Sequence, residues 1–268
     1  MARSDDLSRP TEIPPDAILL AAGRGTRIGK DRPKVLLEVA GRPMLAWIVD
    51  ACHEAGVGRC VVVVGPDQRE SVAAAVDTTM PCHFVVQKER LGTAHAAQAA
   101  APICQGHRGD VFVLAGDGPL IRAPTLNALH REHADRGAAA TLATAVLKRP
   151  EGYGRVLRNP DGSFDRIVEE KDATAAQRAV REVNPSYYCF RSSALFAALP
   201  LIEPRNRQAE YYLTDVPALL KRQGHAIGLV DGVDAEEAMS INTPEQMREV
   251  DAILRQRLGT ASQTDASR

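Results

Sequence analysis

The first half of the chain alternates short apolar runs with amphipathic stretches, which predicts strands followed by helices. Four apolar runs have the length of buried strands: residues 17–22, 60–64, 83–87 and 110–115. Helical patterns lie between them at residues 43–55 and 93–101, and the first has Pro43 near its start and Gly56 beyond its end. This alternation is typical of βαβ units, so we predict an α/β fold with a mostly parallel sheet.

The pattern changes from residue 139 onward, where short strands separated by turns replace the alternation. We predict strands over residues 140–147, 155–157, 164–168 and 183–190, and helices over residues 172–180, 210–222 and 243–257. The last helix begins with Thr243 as N-cap, Pro244 at the first position and Gln246 completing a capping box. Residues 1–15 and 258–268 are rich in proline, charge or small polar residues, and we expect both to be flexible tails around a domain of residues 16–257.

Composition removes several classes of protein. The 268 residues are 44% hydrophobic and 25% charged with a net charge of -1, which is average for a globular protein and gives no overall attraction to nucleic acid or membrane lipid. We find neither a membrane-spanning run nor an apolar leader, and therefore expect a soluble, cytoplasmic protein. The five cysteines are scattered, and their spacing predicts neither a disulfide framework nor a zinc site.

A glycine-rich turn follows the first predicted strand. Residues 20–28 read LAAGRGTRI and are followed by Pro33-Lys34. Backbone N–H groups of such a turn can approach a polyphosphate closely, and Arg24, Arg27 and Lys34 supply cations for it. The alternative is an ordinary turn with solvated cations. A dinucleotide fingerprint is disfavoured because its third glycine is missing and no helical pattern begins there.

Two more motifs lie where α/β sheets place ligands. Asp117 follows the predicted strand at 110–115, and a carboxylate at that end of a sheet suits Mg²⁺; a plain turn aspartate is the alternative. Gln87, Gly92 and Thr93 offer an amide and free backbone groups that can read the edge of a nucleobase, although Thr93 could serve only as an N-cap. His95 stands beside this turn, with either nucleotide contact or helix packing open to it.

The remaining polar groups suit sugar hydroxyls or a helix surface. Gly154, Glu169 and Asn184 provide donors and acceptors, yet taken singly they read as solvated loops. His130 and His133 can share one helix face and a metal, but no further ligand lies nearby in sequence, so we predict an exposed helix. Met44 and Trp47 are expected in the core.

The order of these motifs resembles the N-terminal uridylyltransferase domain of the bacterial bifunctional N-acetylglucosamine-1-phosphate uridylyltransferase/glucosamine-1-phosphate acetyltransferases. The resemblance runs from about Ile18 to Leu254 and also includes segments at residues 152–155, 171–174 and 210–215. It implies a Rossmann-like, GT-A-like nucleotidyltransferase fold, with a mixed central sheet flanked by helices. It also implies a nucleotide-binding part at about 16–138, a smaller β-rich sugar-binding part at about 139–242, and a C-terminal helix at 243–257.

The resemblance assigns roles residue by residue. Nucleotide contacts fall on Leu20, Ala21, Ala22, Gly23, Gln87, Gly92 and Thr93. Arg24 and Lys34 match the phosphate-binding cations that assist catalysis, while Asp117 and Asn242 match the Mg²⁺ ligands. Sugar contacts fall on Gly154, Glu169 and Asn184. The implied reaction joins UTP to a sugar-1-phosphate by direct attack on the α-phosphorus, without a covalent intermediate and without a general base, in a monomer or homodimer.

This chain departs from the family pattern near the sugar. Ala115 replaces the usual tyrosine, Gly118 replaces a frequent valine, and Pro185-Ser186 replaces Thr-Gly after Asn184. These changes leave N-acetylglucosamine-1-phosphate as the leading acceptor and keep open another sugar-1-phosphate, dTTP or CTP, or a catalytically silent binding module. No hexapeptide repeat follows residue 258, so we expect no acetyl-CoA chemistry and no obligate β-helix trimer.

Overall fold

A computed structural model describes residues 13–23, 32–76, 78 and 80–265. Its strands are β1 Asp16–Leu20, β2 Glu38–Val39, β3 Arg42–Pro43, β4 Arg59–Val64, β5 Cys82–Val86, β6 Asp110–Ala115, β7 Ala140–Ala143, β8 Ala145–Val146, β9 Gly154–Arg158, β10 Phe164–Val168, β11 Glu182–Asn184, β12 Tyr187–Arg191 and β13 Ile227–Val230. Its helices are α1 Met44–Glu54, α2 Arg69–Ala75, α3 Thr93–Ala99, α4 Ala101–Cys104, α5 Ala123–Asp135, α6 Ala175–Arg178, α7 Ser192–Ala198, α8 Asp215–Arg222 and α9 Pro244–Asp265, with 3-10 turns at Lys34–Leu36 and Leu199–Leu201.

Seven strands form the central sheet, in the order β13-β7-β12-β6-β1-β4-β5. All neighbouring pairs are parallel except that β12 runs antiparallel to both β6 and β7. A second, antiparallel sheet has the order β10-β9-β11-β8. The predicted α/β fold with a mostly parallel, mixed sheet is therefore confirmed.

Strand β1 shows why the apolar runs were such strong indicators. Ile18 packs into the apolar cluster on one face of the sheet, while Ala17 and Leu19 pack into the cluster on the other face. A strand covered on both faces needs apolar side chains on both, so residues 17–20 form a continuous apolar run after the buried Asp16. The two clusters pack on either side of β1 and β6, below the loops that follow these strands.

Two predicted strands are each divided between the two sheets. The run at 140–147 breaks at Thr144, whose N–H donates to Val230 O at 2.9 Å, so β7 and β8 belong to different sheets. The run at 183–190 breaks at Pro185, which has no N–H, and at Ser186, which takes a left-handed φ of 64°. The chain crosses between sheets at both breaks, and the single long strands were wrong.

Helix boundaries also differ from the prediction. The helix predicted at 172–180 shortens to α6, which Thr174 and Gln177 cap reciprocally, and the helix predicted at 210–222 begins only at Asp215. Helix α9 continues to Asp265, so the segment predicted as a tail from residue 258 is helical over most of its length. The sequence patterns missed α2, α7 and β13. Of the tail predicted at residues 1–15, residues 1–12 lie outside the described residues.

The cysteines and the apolar residues of α1 lie mostly in the interior, as their sequence context predicted. All five cysteines are free, and four of them are buried. Met44 is fully buried, and Trp47 packs against the same cluster while its indole donates to Val39 O at 3.0 Å. Within the described part of the chain, no helix combines the length and apolar character needed to cross a lipid bilayer.

Candidate functional site

A cavity of about 320 Å³ opens at the carboxyl ends of β1 and β6. Open α/β sheets bind their ligands at this edge. Nine of the residues assigned from sequence line it together: Leu20, Ala22, Gly23, Lys34, Gln87, Gly92, Thr93, Asp117 and Glu169. Ala21 lies fully buried behind this wall.

The turn after β1 is held close to the end of β6. The Gly116 N–H donates to Leu20 O at 3.0 Å, and a Cβ at position 116 would lie 2.7 Å from the same oxygen. Only glycine allows the two strand ends to approach so closely. This contact places the backbone of residues 20–23 beside Asp117. Arg24 and the rest of the glycine-rich turn through residue 31 lie outside the described residues.

Three polar side chains converge at one end of the cavity. Lys34 Nζ donates to Asp117 Oδ2 at 2.5 Å and to Asn242 Oδ1 at 2.8 Å. They come from three distant segments: Lys34 opens a 3-10 turn, Asp117 follows β6, and Asn242 precedes α9. A carboxylate oxygen and an amide oxygen thus face a single cation, which is the donor chemistry of a hard divalent metal site.

The capping box of α9 fixes Asn242. Gln246 Oε1 accepts from the N–H of Thr243 at 3.0 Å and from the N–H of Asn242 at 2.7 Å, while Thr243 Oγ1 accepts from Gln246 N at 3.2 Å. The predicted cap is confirmed. Asn242 Nδ2 donates to Ser240 Oγ at 3.0 Å, which turns its amide oxygen toward Lys34.

The opposite end of the cavity presents an amide. Gln87 Nε2 donates to Gly92 O at 3.1 Å and lies 3.1 Å from His95 Nδ1, so its NH₂ group is engaged and its oxygen is left for a ligand. Gly92 has a left-handed φ of 117°, and a Cβ there would collide with the backbone of Tyr211. His95 therefore contacts Gln87 from the helix that follows this turn.

Thr93 does not cap its own helix. Gly92 is the N-cap residue of α3, and Thr93 Oγ1 instead accepts from Leu213 N at 2.9 Å. This bond joins the turn at 91–93 to the loop before α8. The loop contributes Glu210, Leu213 and Thr214 to the cavity wall.

Sequence reasoning missed a cation on this wall. Arg90 lines the cavity, and its Nε donates to Ala22 O at 2.8 Å. The bond joins the turn after β1 to the turn after β5, across 68 residues of sequence. Arg90 follows Gln87 within the motif already noted, but nothing in the linear pattern indicated that it turns back toward Ala22.

Glu169 forms the wall from the smaller sheet. Its Oε1 accepts from Thr214 Oγ1 at 3.0 Å, and a Cβ on Gly154 would lie 3.6 Å from both carboxylate oxygens. Burial outweighs the Thr214 bond and raises the pKa of Glu169. The carboxylate consequently gains from any additional donor, such as a sugar hydroxyl.

Asn184 lies behind the wall. Its Nδ2 donates to the Tyr188 hydroxyl at 2.6 Å and its Oδ1 accepts from Ser186 N at 3.1 Å. Asn184 is 4% exposed, whereas Tyr188 and Ser186 line the cavity. Asn184 thus orients the two residues that face the ligand space.

The departures from the family pattern also fall around this wall. Ala115 and Ser186 lie side by side on the cavity surface, joined by an Ala115 N to Ser186 O hydrogen bond of 3.3 Å. A Cβ on Gly118 would lie 2.9 Å from the Tyr187 hydroxyl, which itself donates to Glu237 O at 2.7 Å. Tyr187 therefore fills the space that a side chain at 118 would need.

The two histidines of α5 differ from their prediction. The helix is confirmed over Ala123–Asp135, but His133 is 3% exposed and only His130 is partly exposed. His133 turns toward the sheet and lies against Asp110, the first residue of β6. The prediction of an exposed pair was wrong because Asp110 precedes His130 by twenty residues and gave no local indication.

Comparison with known proteins assigns the chain to a protein family. The model of the MobA-like NTP transferase domain matches residues 17–212. The chain belongs to this family. The family match, together with the pyrophosphorylase fold described below, confirms the nucleotidyltransferase domain that the motifs implied.

The chain is also similar to curated proteins named Bifunctional protein GlmU. That of Pelotomaculum thermopropionicum is 47% identical over 242 residues, which are 90% of this chain and 52% of that protein. That of Anaeromyxobacter dehalogenans strain 2CP-C is 44% identical over 254 residues, which are 94% of this chain and 51% of that protein. The chain therefore spans about half the length of these relatives, and the resemblance to the bifunctional family is confirmed.

Solved structures show the same fold at low identity. A UDP-glucose pyrophosphorylase complexed with UDP-glucose has a TM-score of 0.73 at 16% identity and covers 91% of this chain and 100% of its own. A putative glucose-1-phosphate thymidylyltransferase from Bacillus anthracis has a TM-score of 0.73 at 17% identity, with 90% and 95% covered. These similarities confirm the nucleotidyltransferase fold.

Proposed function

We propose that this protein transfers UMP from UTP to N-acetylglucosamine-1-phosphate, giving UDP-N-acetylglucosamine and pyrophosphate. The observation that carries the proposal is the convergence of Asp117 Oδ2 and Asn242 Oδ1 on the Lys34 ammonium, at one end of a cavity whose other end presents the Gln87 amide. One end suits a metal-bound polyphosphate and the other suits a nucleobase. The similarity to the GlmU proteins supports the choice of reaction.

The Gln87 amide favours a uracil-type base. Its NH₂ group is used by Gly92 O and His95, so its oxygen is the atom offered to a ligand. An oxygen acceptor pairs with the N3–H of uracil or thymine, whereas cytosine carries a bare acceptor at that position. Two acceptors facing each other would leave both unsatisfied and disfavour CTP.

The donor set at Lys34 fits Mg²⁺. A carboxylate and an amide oxygen that already face one cation need little rearrangement to hold another, with phosphate oxygens and water completing the shell. Asp117 and Asn242 would hold the metal. When bound, Mg²⁺ supplies neutralisation of the charge on the triphosphate oxygens.

The chain's own residues do the rest by positioning and charge. A phosphate oxygen of the sugar-1-phosphate attacks the α-phosphorus in line; the new P–O bond forms as the bond to the β-phosphate oxygen breaks, and pyrophosphate leaves. Lys34, released from Asp117, offsets negative charge on the α-phosphate, and Arg24 is assigned the same role on the leaving group. A phosphate nucleophile is already ionised at neutral pH, so no general base is required.

The acceptor sugar is assigned to the wall formed by the smaller sheet. Glu169 accepts from sugar hydroxyls, Gly154 lies next to that carboxylate where a Cβ would stand 2.8 Å from Ile167 Cγ2, and Asn184 orients Tyr188 and Ser186. The second candidate, a different sugar-1-phosphate or dTTP as donor, rests on Ala115 and Ser186. Ala115 replaces a larger tyrosine, and Ser186 adds a hydroxymethyl group where the family has glycine, so both change the shape of the wall where the sugar lies.

Pyrophosphate release tests the proposal directly. The purified chain is assayed with UTP, dTTP, CTP and ATP, each paired with N-acetylglucosamine-1-phosphate, glucose-1-phosphate and galactose-1-phosphate, with and without Mg²⁺. We expect the highest kcat/KM for UTP with N-acetylglucosamine-1-phosphate and no turnover without a divalent cation. The Asp117→Ala variant, with its folding checked by circular dichroism, identifies background activity. Absence of turnover with UTP and all three sugars contradicts the proposal, and a preference for glucose-1-phosphate or dTTP selects the second candidate.

A further inference from the structure

A second group of metal-binding side chains lies at the opposite end of β6 from Asp117. Asp110 begins this strand, and Asp117 follows its last residue, so about 20 Å of extended chain separates the two groups. Asp110, His133 and Cys189 each have one ligand atom within 4.8 Å of the others. They come from β6, α5 and β12, which pack against one another here.

His130 adds a fourth donor to this group. His130 Nε2 lies 3.2 Å from Asp110 Oδ2, and His133 Nε2 lies 3.4 Å from Asp110 Oδ1. The carboxylate is thus flanked by two imidazole nitrogens, one on each oxygen. The histidines are three residues apart on α5, the spacing that puts both on one helix face.

The buried Nε2 of His133 faces the Asp110 carboxylate. The residue is 3% exposed, and its Nε2 makes no hydrogen bond within the described part of the chain. Its other nitrogen, Nδ1, lies 3.0 Å from the buried hydroxyl of Thr141. With Thr141 accepting the Nδ1 proton, Nε2 can bind a metal ion placed between it and Asp110, and Thr141 then has the position of an outer-shell partner of a metal-bound histidine.

Register in the sheet explains why Cys189 joins the group. Cys189 pairs with Phe112 across β6 and with Thr141 across β7. Asp110 lies two residues before Phe112, so its side chain emerges on the same face of the sheet. The sulfur, the carboxylate and the Thr141 hydroxyl consequently share the face that α5 covers.

We propose that Asp110, His130, His133 and Cys189 form a second cation site, selective for a divalent transition metal of the Zn²⁺ type. Two imidazoles, one carboxylate and one thiol are the ligands that Zn²⁺ takes, usually in tetrahedral geometry, and they differ in kind from the oxygen donors at Asp117. The donor atoms around a tetrahedral Zn²⁺ stand about 3.6 Å apart, so Asp110, His133 and Cys189, which lie within 4.8 Å of one another, need shifts of about 1 Å. His130 lies against Asp110 and has to move toward the other two donors. The bound ion would fasten α5 to the sheet.

The site has an entrance from solvent. Asp110 and His130 line a cavity whose walls also include Asn127 and Ala134. The side chain of Asp110 is 23% exposed and that of His130 is 31% exposed. Arg108, Arg131 and Asp135 line the same cavity, so two guanidinium groups balance the carboxylates of Asp110 and Asp135. Selectivity therefore rests on nitrogen and sulfur donors and not on a negative field, which disfavours Mg²⁺ and Ca²⁺ here.

Cobalt titration of the full chain tests the proposal. Co²⁺ is added in the presence of excess Mg²⁺, which saturates the oxygen-donor site, and absorption is recorded in the visible and near ultraviolet. We expect one Co²⁺ per chain, with intense visible bands of a four-coordinate ion and a thiolate charge-transfer band in the near ultraviolet. Zn²⁺ should abolish both and raise the Tm.

Variants assign the bands to ligands. His130→Asn and His133→Asn should each abolish the visible bands, Cys189→Ser should abolish the near-ultraviolet band, and Thr141→Val should weaken Co²⁺ affinity about 10- to 100-fold. His225→Asn, at an exposed histidine elsewhere, is the matched control and should change nothing. His130 is partly exposed, so we expect His130→Asn to fold and to test the ligand set even if His133→Asn unfolds.

Pyrophosphate release separates this proposal from the one above. His130→Asn should retain the wild-type rate with Mg²⁺, because the site is remote from Asp117. Absence of the visible bands in the wild type, their survival in both histidine variants, or a near-ultraviolet band that survives Cys189→Ser overturns the proposed ligand set.

Discussion

The Lys34 ammonium lies 2.5 Å from the Asp117 carboxylate and 2.8 Å from the amide oxygen of Asn242, where it stands between the two proposed metal ligands. The side chain of Lys34 is 13% exposed and that of Asp117 is 26% exposed, so the pair is partly shielded from solvent. A metal ion at the proposed site would therefore compete with Lys34 for the same two oxygens.

Replacement of Lys34 by Met should move metal affinity and turnover in opposite directions. Removal of the competing ammonium frees Asp117 and Asn242, so the nucleotide-free protein should bind Mn²⁺ more tightly, as measured by electron paramagnetic resonance. Turnover should fall about 100- to 1,000-fold because one stabilising charge is lost from the reacting phosphates. Asp117→Asn should lower both quantities. Unchanged Mn²⁺ affinity in Lys34→Met would show that the ammonium does not compete with the metal.

The Gln87–His95 contact makes a prediction about base selection. His95 Nδ1 accepts from Gln87 Nε2, which holds the amide oxygen toward the cavity. Gln87→Leu should reduce kcat/KM for UTP by about 10- to 100-fold, corresponding to the 1–3 kcal/mol of an unsatisfied donor on the base, and should leave CTP nearly unaffected. His95→Leu should also lower the ratio of kcat/KM for UTP to kcat/KM for CTP, because the Gln87 amide is then free to rotate. Equal losses for UTP and CTP would contradict this orientation role.

Local patterns were sufficient for most of the site. Gly116-Asp117, Gln87 and Gly92 follow strands directly or closely, so a buried run next to a turn was enough to assign them to the sheet edge. Arg90 was missed because its contact with the cavity wall is to Ala22, which is 68 residues away in sequence. Tyr188 was missed because it lies within an apolar run that predicted a buried strand.

Most of the central sheet was also predictable from local sequence patterns. Strands covered on both faces gave continuous apolar runs, whereas β13 has only four residues, and one is glycine. Pro185 could have indicated the break between β11 and β12, since proline has no N–H to give to a neighbouring strand. Asp110, His133 and Cys189 are too distant in sequence for any spacing to unite them.

Glu169 predicts a pH dependence of stability. Burial raises the pKa of Glu169, so the folded protein holds this proton more tightly than the unfolded chain does. Its stabilising contribution is complete below the ordinary value of 4.5 and is lost as the pH rises through the raised value. Urea unfolding should therefore show that Glu169→Gln flattens this decline above pH 4.5.

Glu170 provides the matched comparison for that experiment. Partial burial opposes its ionisation, but the Arg155 guanidinium and the Gly152 N–H outweigh it and lower the pKa of Glu170. Its contribution is present above the ordinary value of 4.5 and is lost as the pH falls through the lowered value. Glu170→Gln should therefore remove the part of the stability loss that Glu170 causes as the pH falls below 4.5. Parallel pH profiles for the two variants would contradict the assigned directions.

Gly118 and Tyr187 should behave as a coupled pair. A Cβ at 118 meets the Tyr187 hydroxyl at 2.9 Å, so Gly118→Ala should cost about 1–3 kcal/mol of unfolding free energy through overpacking. Tyr187→Phe removes the hydroxyl together with its bond to Glu237 O, and is also destabilising. The double variant should lose less than the sum of the single losses. Additive losses in urea unfolding would mean that the two side chains do not share this space.

The α9 cap links helix stability to the position of Asn242, the proposed metal ligand, and two variants separate these effects. Gln246→Ala removes the acceptor of both Thr243 N and Asn242 N, so the unfolding free energy should fall by about 1 kcal/mol and Mn²⁺ affinity by about 10-fold. Thr243→Ala removes the bond from Gln246 N and leaves both backbone bonds to Gln246 Oε1 in place. It should cost similar stability while Asn242 stays in place and Mn²⁺ affinity is retained. Glu249→Ala, at an exposed position one turn further along α9, should change neither quantity. If the Thr243 and Gln246 variants lose Mn²⁺ affinity equally, the Gln246–Asn242 bond does not position the ligand and the cap acts on the helix alone.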